Sequence, residues 1–80
     1  MLIGGGNMAK VVVKSEIAGT VWKIESKVGA RIDKEGQIMI LESMKMEIPV
    51  LAPTGGTLCD LYVAEGDPVA EGQPIAALEA

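Results

Sequence analysis

From Lys10 onward the apolar residues fall in short runs, each closed by glycine, proline or charge, and no segment sustains a helical period. Runs of this length read as strands. The pattern predicts strands over Val11 to Lys14, Gly19 to Ile24, Ile38 to Glu42, Met46 to Leu51, Thr57 to Tyr62 and Ile75 to Leu78, with briefer extended pieces near Arg31 and Val69. Between them stand Gly29-Ala30, Glu35-Gly36, Pro53-Thr54-Gly55-Gly56, Glu65-Gly66-Asp67-Pro68 and Glu71-Gly72, each able to supply a positive or a fixed φ. Short strands broken by turn residues predict an all-β domain, a small sandwich or barrel.

The pattern also repeats. Gly19-Thr20-Val21 recurs 37 positions later as Gly56-Thr57-Leu58, Gly29 as Gly66, Ile32 as Val69 and Leu41-Glu42 as Leu78-Glu79. Glu35-Gly36-Gln37 matches Glu71-Gly72-Gln73 at 36, so a one-residue gap is expected in this stretch. Two copies are too few for a solenoid. They predict two half-sheets related by an approximate twofold axis, covering each other's apolar faces in a flattened β-sandwich, a barrel-sandwich hybrid.

With halves from about Ala18 to Glu42 and Gly55 to Glu79, the segment Ser43 to Thr54 joins them and opens with the unrepeated Met44-Lys45-Met46. Strands on both sides require a tight reversal near Lys45. The turn presents a charged arm outward between two flexible apolar flanks.

Composition removes most other chemistry. The chain has 80 residues, enough for one domain with a thin core. With no His there is no imidazole shuttle, no His-based nucleophile and no His metal ligand. Cys59 is a single thiol, which excludes an internal disulfide and a multi-cysteine zinc site. Seven Lys and Arg against eleven Asp and Glu give a net charge of −4, the bases are scattered, and only Trp22 and Tyr62 could stack on a base, so no nucleic-acid partner is expected. No apolar run reaches the roughly 20 residues of a membrane span, and a cytoplasmic setting is the default expectation. Residues 1–9, with Gly4-Gly5-Gly6-Asn7 ahead of Met8, read as a flexible tail or an expression remnant, leaving 10–80 as the domain.

Glu42-Ser43-Met44-Lys45-Met46-Glu47 resembles the attachment motif of biotinyl domains, whose commonest form is Ala-Met-Lys-Met; Ser43 stands where that alanine would be. The resemblance runs over essentially Val11 to Leu78. It is closest in pattern to the stand-alone bacterial biotin/lipoyl attachment proteins and to carboxylase biotinyl domains. The stretch Trp22 to Gly29 is too short for the protruding thumb of the multi-subunit bacterial acetyl-CoA carboxylase carrier, so a thumbless carrier is implied.

The resemblance implies a non-catalytic carrier with biotin covalently on Lys45 and with Met44 and Met46 as recognition flanks; Glu42 reads as a solvated charge whose position beside the lysine offers the ligase a contact. An alkylammonium of ordinary pKa leaves only about one molecule in a few thousand neutral at pH 7, so attachment falls to a partner. By resemblance that partner is a biotin protein ligase acting through biotinyl-adenylate. Biotin carboxylase and carboxyltransferase subunits or domains then load CO2 and remove it. The isolated domain is expected to be monomeric.

Two alternatives stay open: a lipoyl carrier, whose tip in resembling domains reads Asp-Lys-Ala, and an unmodified β-sandwich used as an interaction module. Trp22 reads as a packing residue or surface anchor and Cys59 as a buried, inert thiol. Glu47 reads as a solvated charge. Asp60, Asp67 and Glu65 lack the dense oxygen spacing of a calcium loop.

Overall fold

The short apolar runs become eight strands in a computed structural model that describes residues 9–80. They are β1 (Lys10–Lys14), β2 (Gly19–Ile24), β3 (Arg31–Ile32), β4 (Gln37–Ser43), β5 (Met46–Leu51), β6 (Gly56–Leu61), β7 (Pro68–Val69) and β8 (Pro74–Glu79). All six longer strands and both short ones lie where the pattern puts them, within one residue at each end. The expected tail falls outside the described residues except for Ala9, which exchanges backbone hydrogen bonds with Ala80.

The strands form two antiparallel four-stranded sheets, ordered β1-β8-β6-β3 and β5-β4-β2-β7. Neither is closed into a barrel. Both sheets send aliphatic side chains into one cluster that includes Val13, Ile32, Leu58, Ile75 and Leu78 from the first and Val21, Ile38, Met39, Leu41 and Val69 from the second. Burial is deepest on β8, where Ile75 to Leu78 are all inaccessible, and on β4, where Ile38 and Met39 are. A single buried Leu or Ile of this kind contributes about 1.5–3 kcal/mol. The edge strand β5 carries Pro49, which has no N–H to offer and belongs at such a position.

The two sheet orders interchange when β1 is exchanged with β5, β2 with β6, β3 with β7 and β4 with β8. The offset is 37 throughout. Gly29 N donates to Leu58 O at 2.7 Å, and its mate Gly66 N to Val21 O at 2.8 Å; Glu35 N donates to Ala52 O, and Gly72 N to Ser15 O, both at 2.7 Å. A bulge between Val21 and Lys23 is matched by one between Leu58 and Asp60.

The expected one-residue gap is therefore absent. The left-handed backbone position is the repeated feature: it is held by Glu35 (φ 67°) in the first half and Gly72 (φ 84°) in the second. Aligning the Glu-Gly letters slips the register by one. The repeat is also longer than the letters show, because β5 is the counterpart of β1 and no mere connector. Residues 9–43 map onto 46–80, and only Met44 and Lys45 lie between the halves.

Candidate functional site

Ser43 and Met46 are paired at the end of the β4–β5 ladder, so the reversal is made by Met44 and Lys45 alone. Their φ angles are 52° and 66°. Two consecutive positive φ values define a type I′ turn, whose twist matches that of the strands it joins and whose usual occupants are Asn and Gly. A residue with a Cβ pays about 1–2 kcal/mol for the left-handed conformation, so the turn persists because its surroundings enforce it. The enforcement is visible in Leu41, paired with Ile48 and 1% exposed, which anchors the hairpin in the core.

The side chains around the turn all face solvent. Met44 is 91% exposed and Met46 60%, so neither fills a gap beneath the turn. Lys45 is exposed, and among the described residues its ammonium has no ion-pair partner. Glu42 and Glu47 are exposed and stand directly opposite one another, a like-charge pair that costs the ladder a little. The hairpin thus brings Lys45, Met44, Met46 and Glu42 together.

Two contacts at the hairpin base were not legible beforehand. Ser43 Oγ donates to Ala18 O at 3.0 Å. Gly19 lies so close to β4 that a Cβ there would stand 2.6 Å from Glu42 O. Both arise between segments more than twenty residues apart, and no local signal marks them. The repeated Gly-Thr opening of each half was the trace of the second, since Gly56 makes the same approach to Glu79 O, at 2.5 Å.

The remaining singled-out residues have structural work. Trp22 sits in the β2 bulge and is 47% exposed, so it is a surface residue rather than core. Cys59 sits in the equivalent bulge of β6 and is half-buried, not fully buried as expected, because the bulge breaks the in-out alternation. Its thiol donates to Ala77 O at 3.3 Å, and desolvation, with the neighbouring Asp60 carboxylate, raises its pKa, which leaves it a poor nucleophile. Asp60 pairs with Lys10 at 2.8 Å; that hydrogen bond holds the carboxyl below its ordinary range and the ammonium above its own. Asp67 accepts from Ala64 N within its own turn and Glu65 accepts from Ile24 N at the end of β2, each at 2.9 Å, so both acids have structural partners. Among the described residues no group of three or more His, Cys, Asp or Glu is placed to hold a metal.

Two surface grooves, of about 580 and 530 Å³, are lined by residues 24–37 and by β1, β5 and their flanking loops, without Met44, Lys45 or Met46. Lys45 offers an exposed primary amine on a rigid base, which suits a covalent amide at its tip rather than a ligand enclosed in a pocket. Among the described residues no helix is long and apolar enough to cross a membrane.

Comparison with known proteins shows the family. The family model "Biotin-requiring enzyme" matches residues 7–78. The chain is similar to the biotin/lipoyl attachment protein of Bacillus subtilis, 44% identical over 62 residues that cover 78% of this chain and 85% of that one. It is 39% identical over 66 residues to the biotinylated protein TB7.3 homolog of Mycobacterium leprae, covering 82% of this chain and 93% of the other. Among solved structures, the Kluyveromyces lactis urea carboxylase superposes with a TM-score of 0.84 at 28% identity, over 88% of this chain and only 6% of that enzyme.

Proposed function

The chain belongs to the biotin/lipoyl attachment family, and from that premise we propose that it is a biotin carboxyl carrier with Lys45 as its attachment residue. The observation that carries the assignment is the strained two-residue turn. Met44 and Lys45 are the only residues between the two halves, both are left-handed, both are exposed, and neither contributes to the core. Strain kept at a position outside the core supports a functional reading of the turn.

Attachment needs the Nζ of Lys45 to lose a proton and attack an activated biotin carboxyl, forming an amide as the activating group leaves. A biotin protein ligase supplies the activation and the base. Met44 and Met46 give it an apolar surface on each side of the amine, and Glu42 a charge beside it. The amide removes the Lys45 charge and takes the net charge of the chain from −4 to −5. When attached, biotin supplies a ring nitrogen that takes up and releases a carboxyl group. The protein's part is to keep that group tethered, at an effective concentration on the order of millimolar, while partner carboxylase and carboxyltransferase sites do the chemistry.

The working unit is the domain of two sheets about a quasi-twofold axis, a flattened barrel-sandwich hybrid comprising residues 10–80. Its rigidity serves delivery, because a ligase and two active sites must all recognise one shaped hairpin. Intact mass after co-expression with a biotin ligase, and separately with a lipoyl ligase, tests the assignment. One biotinyl group is expected on the parent and none on Lys45→Arg, whose guanidinium stays protonated. Exclusive lipoylation would move the chain to the lipoyl carriers, and no adduct from either ligase would leave an interaction module.

A further inference from the structure

The 37-residue symmetry makes the two ends of the molecule comparable position by position, and at two positions they differ in one chemical respect. Ser15 has Ala52 as its counterpart, and Ser43 has Ala80. Both serines belong to the Lys45 end, and both hydroxyls are used. Ser15 is 2% exposed; its Oγ donates to Ile17 O and accepts from Ile17 N at 3.4 Å, which braces the loop between β1 and β2. Ser43 Oγ donates at 3.0 Å to Ala18 O, the next carbonyl of that loop. The alanine counterparts have no hydroxyl to do either.

We infer that Ser43 is a positioning residue for modification of Lys45. Its hydroxyl ties the hairpin base to a loop that Ser15 has already made stiff, and so fixes the direction in which the strained turn presents the amine. The β2–β4 ladder holds β4 as far as the Thr20–Glu42 pair, and beyond it the hairpin base has only its own pair, Ser43 with Met46. The hydroxyl bond from Ser43 to Ala18 O carries the attachment of β4 to the β2 side one residue further, to the base of the turn itself. This rests on Lys45 being the attachment residue; the tether itself does not.

The test uses the intact chain and the variants Ser43→Ala, Ser43→Thr and Ser15→Ala. Biotin transfer by a biotin ligase is followed at varied carrier concentration, and amide exchange of Met44 to Met46 is measured on unmodified protein. Loss of one exposed neutral hydrogen bond corresponds to about a two- to fivefold change. Ser43→Ala is expected to raise the carrier KM by that factor with kcat unchanged, and to speed exchange at the turn by a similar factor while exchange in β8 stays as in the parent. Ser15→Ala shifts both readouts the same way, and Ser43→Thr restores them. Unaltered turn exchange in Ser43→Ala overturns the tether. Faster exchange with an unaltered KM overturns its role in presentation. A parent that takes neither biotin nor lipoyl refutes the attachment assignment and with it the role in presentation, while the exchange data still decide the tether.

Discussion

A methyl group added at Gly19 separates the stability of the fold from the presentation of the hairpin, because the symmetry supplies an internal control. The new Cβ would lie 2.6 Å from Glu42 O and 3.4 Å from Ser43 Cβ; at Gly56 it would lie 2.5 Å from Glu79 O and 3.3 Å from Ala80 Cα. The atoms met are backbone, so the strands must part. Overpacking of this kind costs about 1–3 kcal/mol, offset by about 0.4–1 kcal/mol from the stiffer unfolded chain, for a net loss of roughly 1–2 kcal/mol in either variant. With an m-value of about 1 kcal/mol/M, the urea midpoint falls by about 1–2 M in both. A domain with at least ~5 kcal/mol in hand remains folded in buffer. Only Gly19→Ala displaces the base of the Lys45 hairpin, so only it should slow biotin transfer, by about tenfold in kcat/KM, with Gly56→Ala within about twofold of the parent. Equal losses of transfer in the two folded variants would refute the claim that the hairpin base is held by this approach, and unchanged urea midpoints would refute the steric reasoning itself.

Glu35→Gly should stabilise by about 0.5–1 kcal/mol, since it removes a left-handed strain that Gly72 avoids at the equivalent position; calorimetry should show Tm rising by a few degrees, and a fall counts against the repeat alignment. Asp60→Asn should lower Tm at neutral pH. The Asp60 pKa is depressed and the Lys10 pKa raised, so the difference from the parent must close as acid takes Asp60 through its folded pKa and again as alkali takes Lys10 through its own; a difference that ignores pH denies the ion pair. Met44→Asp with Met46→Ala should keep the fold and move modification from biotin toward lipoyl, and undiminished biotinylation would show that the flanks do not select.

Strand positions were legible because each strand buries one side against the same aliphatic core and the breaks carry turn residues. The Lys45 turn was legible for a different reason: it interrupts the repeat. What could not be read depends on contacts across the halves. The sequence match between Glu35-Gly36 and Glu71-Gly72 is misleading, since backbone conformation is what the fold repeats and a glutamate can be forced into it. The kinship of β1 with β5 was hidden because Lys10, Val12 and Lys14 face Glu47, Pro49 and Leu51 in the alignment, and only the inward pairs Val11 with Ile48 and Val13 with Val50 are alike. Ser15, Ser43, Lys10 and Asp60 act on partners chosen by topology, which single-residue reading does not supply. Cys59 was misjudged in burial because a bulge is a property of the pair of strands, not of the one that contains it.

A quasi-twofold scaffold has two equivalent ends, and this one uses them differently. At one end Ala9 and Ala80 pair across the ladder; at the other, Ser43 and Met46 occupy the same positions and two residues bridge them. A bridge of two residues favours a primed turn, the one seen here, and a primed turn of Met and Lys carries about 2–4 kcal/mol of backbone strain that Asn-Gly would largely avoid. That strain is tolerable because the flanking strands are locked by Leu41 and by the close approach at Gly19, and it is useful because the turn leaves Lys45 exposed beyond the ends of both strands. The two serines follow from the same need: a strained tip is only as well aimed as its base is fixed, and Ser15 and Ser43 carry hydroxyls where their counterparts Ala52 and Ala80 have none.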